Sequence, residues 1–84
     1  MVVDREETVL REENVSTRKA IWADATVSTD NTVTFGSVTT ITFSAVCKKT
    51  DGATVAHTKA TNVITITEAA LTNVLVEIFL NGVV

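Results

Sequence analysis

Proline and tyrosine are absent from this chain, and cysteine, histidine and tryptophan each occur once. A single cysteine excludes an internal disulfide, and one Cys with one His cannot complete a four-ligand structural zinc site. No Gly-rich phosphate loop, CxxC or HExxH occurs, so the common phosphate, redox and zinc-hydrolase signatures are missing. Nor is there an apolar run near the roughly 20 residues needed to span a bilayer. The opening Met1-Val-Val-Asp-Arg-Glu-Glu lacks the basic start and apolar core of a secretory leader. A net charge of −3 without a Lys/Arg cluster speaks against nucleic acid or an anionic membrane as a partner. Without proline, strand edges lose a common block on pairing with neighbours. An 84-residue chain buries only about 60–65% of its unfolded surface, so its stability margin is thin. With disulfide and metal staples excluded, oligomerisation is the remaining common support.

What the chain does have is Val, Thr and alternation, so the expectation is an all-β fold. Residues 20–84 are expected to form a small antiparallel β-sandwich of about six strands, immunoglobulin-like or jelly-roll-like. Residues 1–19 are set apart as a charged N-terminal arm. In that arm Asp4 and Glu7 have capping-box spacing and Glu7–Arg11 is an i,i+4 pair, which together suggest a short helix over 5–13, with an extended arm as the alternative. Val2/Val3 and Val9/Leu10 recur seven apart, enough for one docking contact but not for a coiled coil.

From Arg18 the period is two. Ile21, Ala23, Ala25 and Val27 share one face, with Trp22, Asp24, Thr26 and Ser28 on the other. Residues 28–32 read as a turn, Val33 and Phe35 as the next strand, and Gly36-Ser37 as a bulge or kink. In the run from Val38 to Lys49, Ile41, Phe43, Ala45 and Cys47 are assigned to the dry face, and Thr40, Thr42, Ser44 and Lys48 to the wet one. Asp51-Gly52 is the signal for a two-residue type I′ turn. Closing Thr50 on Ala53 sets Cys47 opposite Ala56, Ala45 opposite Thr58 and Phe43 opposite Ala60. On the outer side Ser44 then meets Lys59 and Val46 meets His57.

Further on, 63–67 is a strand, and Thr67-Glu-Ala-Ala-Leu71 is expected to make one helical turn. The last strand starts at Asn73, with Val74, Val76, Ile78 and Leu80 on one side and Leu75, Glu77 and Phe79 on the other. Being apolar on both sides, it must be central or covered by a partner, and Glu77 calls for a basic neighbour. Asn81-Gly82 reads as a turn, leaving Val83-Val84 as a tail that docks elsewhere. This strand–corner–strand layout resembles the late strands of immunoglobulin-like domains. The Cys…Trp…Cys signature and the corner tyrosine of those domains are absent.

No residues are assigned to catalysis, cofactor binding or metal binding. Cys47 and His57 are the one nucleophile–base candidate, and the expected register points them to opposite faces. Asp24, Asp30, Asp51, Glu68 and Glu77 are scattered, and no Asp-x-Asp-x-Asp run offers calcium a loop. Lys48-Lys49 reads as an edge solubiliser. By elimination the expected function is a non-enzymatic assembly subunit, such as a repeating or decorating component of a phage or virus particle. It would self-associate through the arm and exposed strand edges, with Val3, Val9, Leu10, Trp22, Leu75, Phe79, Val83 and Val84 at the contacts. The alternatives are a subunit of an extracellular filament, a cytoplasmic protein, and a carbohydrate- or peptide-binding sandwich. Sugar binding is placed second because Trp22, Phe35, Phe43 and Phe79 are all expected to be needed in the core.

Overall fold

A computed structural model describes residues 3–84, so Val2 of the expected Val2/Val3 contact lies outside the described residues. Seven antiparallel strands form two sheets: β1 (Glu7–Val15), β2 (Arg18–Val27), β3 (Thr32–Thr34), β4 (Thr40–Lys48), β5 (His57–Ala60), β6 (Val63–Ile66) and β7 (Val74–Val83). The first sheet has the order β1-β2-β7-β4 and the second β3-β6-β5. The alternation in β2 and β7 places Ile21, Ala23, Ala25, Val27, Val76, Ile78 and Leu80 inward, where all are buried against Val33, Ile64 and Ile66 of the other sheet. Each large aliphatic side chain withdrawn from water there contributes about 1.5–3 kcal/mol. The strand that is apolar on both sides is indeed central: β7 pairs with β2 on one side and β4 on the other.

Several expectations fail for local reasons. Residues 7–15 form an edge strand on β2 rather than a helix, because a ladder of eight residue pairs outweighs one cap and one ion pair. Further upstream, Asp4 bridges to Thr32, Arg5 N–H donates to Thr32 O, and Asp4 Oδ1 accepts from the Thr32 and Thr34 hydroxyls. The N-terminal segment thus covers the edge of β3 before joining β2. No helical turn forms at 67–71; the chain bends there with Ala70 at φ 58°. Leu71 N–H donates to Thr29 Oγ1 and so ties the corner to the 28–31 turn.

Asn81-Gly82 is not a turn. β7 runs on to Val83, and Val84 N–H donates to Thr17 O, so the tail is part of its own sheet. Gly82 is required by packing: a Cβ there would stand 2.9 Å from Thr40 O and 3.0 Å from the Val38 side chain. Gly36-Ser37 makes a turn between β3 and β4, closed by the Val38 N–H on Phe35 O, and a further irregularity lies within β4, where the pairing with β7 skips between Ile41 and Phe43. Thr42 is the extra residue, and it reverses the side-chain faces beyond it. Ile41 and Val46 are therefore buried, whereas Phe43 and Ala45 are exposed.

The chain does reverse at Asp51-Gly52, but only Gly52 has positive φ, so the turn is not type I′. Lys48 N–H donates to Ala53 O and Cys47 bridges to Thr54 rather than Ala56. Asp51 Oδ1 accepts the Ala53 N–H, the Asx contact that stabilises this wider loop. Beyond Val55 the chain crosses to the second sheet, where β5 pairs with β6.

Candidate functional site

Cross-strand partners share a face, so the register of β1, β2, β7 and β4 specifies the open side of the four-stranded sheet. Arg11, Trp22, Phe79 and Ala45 form one row across all four strands. The Trp22 and Phe79 ring centres are 5.0 Å apart at 46°, and Phe43 meets Phe79 edge-on at 6.1 Å and 62°. The Arg11 guanidinium lies 5.6 Å from the Trp22 ring centre, a cation–π contact, and also pairs with Glu13. Of one Trp and three Phe, only Phe35 enters the core, whereas Phe43 is 52% exposed. The expectation that all four aromatics build the core is thus wrong, and the Thr42 bulge is what turns Phe43 outward.

On one side of this row stands an acidic pair, Asp24 opposite Glu77. Lys49 Nζ lies 2.6 Å from Asp24 Oδ2, while Asp24 Oδ1 is buried with no hydrogen-bond partner among the described residues. The Asp24 hydrogen bond, with the Asp24 and Glu77 charges, raises the Lys49 pKa above 10.5. Lys49 is thus the basic neighbour that Glu77 calls for, but its bonded partner is Asp24. On the other side of the row lie Asn81 and Arg18, whose guanidinium donates to Thr42 Oγ1 at 3.3 Å.

Among the residues expected at contacts, Trp22, Leu75, Phe79 and Val83 share this open face. Leu75 is 44% exposed there. Val9 and Leu10 lie on edge strand β1, where the pairing with β2 skips at Leu10. Val84 is exposed beyond the end of β7, and Val3 accepts the Thr32 N–H beside β3. The eight residues therefore do not make one surface; four do. The skip at Leu10 and the charges of Arg11, Glu12 and Glu13 are features that discourage edge-to-edge pairing, which shifts weight from the β1 edge to the face.

Sequence reasoning missed a second constellation. Ser44 faces inward after the bulge, and its Oγ lies 2.9 Å from His57 Nε2, in place of the expected Ser44–Lys59 pairing. His57 Nδ1 is 3.0 Å from Val55 O. A carbonyl can only accept, so Nδ1 carries a proton, and in the neutral ring Nε2 then accepts from the Ser44 hydroxyl. Cys47 and His57, expected on opposite faces, line one cleft of ≈ 280 Å³ together with Ser44, Glu77 and Phe79. The Ser–His polarity is that of a nucleophile and base, but the imidazole is oriented by a neutral carbonyl. A carboxylate in that place would stabilise the imidazolium that forms as the base takes a proton. Its evident effect is to satisfy two polar groups between the sheets. Among the described residues no group of three His, Cys, Asp or Glu side chains is placed to hold a metal ion.

Compared with family models, curated proteins and solved structures, the chain matches none of them.

Proposed function

We propose that this protein is a non-enzymatic structural subunit that works by associating with further copies of itself. The observation that carries the reading is the aromatic face. Trp22, Phe79 and Phe43 stand on the open side of a sheet whose inner side is built from aliphatic residues. Aromatic side chains set beside Arg are the characteristic anchors of protein interfaces. We read the fold as jelly-roll-like rather than immunoglobulin-like. In support, β2 pairs with β7, β3 with β6, and β4, which also pairs with β7, bridges around the Asp51-Gly52 tip through Cys47 to Thr54 ahead of β5, so one long hairpin is rolled across two sheets. Rolled double sheets of this kind recur in viral shells, which favours a phage or virus particle as the setting, with an extracellular filament as the other.

Light scattering during size exclusion at micromolar concentration tests the reading. A mass of two or more chains is expected, and a monomer at every concentration would refute it.

The same aromatics, exposed at Phe43 and half-buried at Trp22 and Phe79, suggest a second reading, a carbohydrate-binding module. Stacking on a flat sugar ring needs an aromatic face presented to solvent, whereas Trp22 and Phe79 are tilted against each other and Phe79 is met by the edge of Phe43. Titration with an oligosaccharide panel, read by Trp22 fluorescence, separates the two: saturable shifts from a monomer would favour sugar.

A further inference from the structure

We infer that the open face of the four-stranded sheet docks on the same face of a second copy, about a two-fold axis that runs across the strands along the Trp22–Phe79–Ala45 row. The inference rests on the assembly reading above and adds the occupant and the geometry. Two isologous arrangements bring these faces together. In one the axis runs along the strands between β2 and β7. Each strand then meets the other's counterpart at the same level, so Asp24 of one copy opposes Glu77 of the next, twice, with one lysine per copy, Lys49, already engaged. Like charges brought face to face in a drying interface are strongly unfavourable.

In the other arrangement the axis crosses the strands. Each strand then meets itself running the opposite way, and the levels above and below the aromatic row exchange. Asn81, two residues from Phe79 along β7, now faces Glu77, so an amide donor meets a carboxylate. Ala20 faces Asp24 and leaves room for Arg18, one level further along β2, to reach that carboxylate diagonally. Val83 faces Leu75, and Phe43 faces Cys47. Along β7 acid meets donor and apolar meets apolar at every level. Four strands about 4.8 Å apart, two of nine and two of ten residues, give a footprint of roughly 600 Å². That is in proportion to the ~800 Å² of accessible surface per partner in a standard interface. Two such sheets stacked about 10 Å apart, with their strands some 30° off alignment, reproduce ordinary sandwich packing between molecules.

The two axes place different residues against their own copies, and cross-linking reads this directly. In a full-length chain carrying Cys47→Ala, Ala45→Cys lies on the proposed axis, close to its counterpart. Leu75→Cys lies eight residues along the strand from its counterpart, on the order of 27 Å. A short bismaleimide suits the test, because facing sheets stand further apart than a disulfide reaches. The expected result is a cross-linked dimer from Ala45→Cys and none from Leu75→Cys. The reverse pattern would overturn the axis. A dimer by light scattering with neither variant cross-linked would overturn the proposed face and leave the assembly reading standing. A monomer by light scattering, whether or not it binds oligosaccharide, would overturn both. Circular dichroism of each variant checks that the sheet is intact, and Phe43→Glu, altered at an exposed position, should reduce the scattered mass to that of one chain.

Discussion

The two faces of the four-stranded sheet are made by alternate residues of the same strands, yet they differ in kind. From Ile21 to Val27 the inner face of β2 is aliphatic or small and buried, with Ile21, Ala23, Ala25 and Val27 against Val76, Ile78 and Leu80 of β7. The outer face carries the Trp22–Phe79–Phe43 cluster with arginines and an acidic pair around it. Branched aliphatic side chains fill a space between two sheets densely and without polar atoms, so the inner face is sufficient for folding. Aromatic rings left half-exposed add little to that core. They are suited to a contact that excludes water from their other side. The difference separates residues that make the fold from residues free to make an association.

The largest effect should come from breaking the inner face. Ile78→Ala leaves a cavity between the sheets and is expected to cost about 2–5 kcal/mol, read as a lower urea midpoint. Gly82→Ala forces a Cβ against Thr40 O and Val38 and should cost roughly 1–3 kcal/mol through overpacking. A cost below the scatter of urea titrations would mean that β4 and β7 do not approach as described. Ser44→Ala removes the inter-sheet hydrogen bond and leaves His57 Nε2 without its partner, so a loss on the order of 1 kcal/mol is expected. On the outer face, Phe43→Ser should change the stability of an isolated subunit by no more than about 0.5 kcal/mol. A loss approaching that of Ile78→Ala would erase the distinction between the faces.

The smallest expected effect is one of pH. Partial burial raises the Glu7 pKa above 4.5, with the Asp4 and Glu6 charges acting in the same direction. Between 4.5 and the raised value the folded chain therefore binds more proton at Glu7 than the unfolded chain, and stability rises as pH falls through that range. At neutral pH the Glu7 charge opposes folding slightly, and Glu7→Gln should give a small gain in thermal midpoint there and none below pH 4.5. Lys49 has the opposite range: its raised pKa supports the fold below pH 10.5 and ceases to do so as pH climbs through the raised value.

Much of this architecture is legible in the sequence because the inner face is periodic. The alternation of β2 and of β7 through Leu80 identifies the buried residues directly, and the apolar character of β7 on both sides marks it as central. The open face is less legible because one residue moves it. Thr42 has nothing in its chemistry to mark a bulge, yet it reverses Phe43, Ala45 and Cys47 and brings Ser44 to His57. Gly82 carries a turn signal beside Asn81, but the glycine answers to a neighbour's backbone rather than to its own φ. The charged β1 mimics a helix because capping and i,i+4 spacings are local, whereas the strand on which it pairs lies beyond Ser16 and Thr17.

Sedimentation equilibrium of the unmodified chain beside Phe79→Asp bears most directly on the aromatic face as an association surface. A self-associating native chain and a monomeric, still β-folded variant are expected. Equal masses for the two proteins, whether both single or both associated, would contradict it.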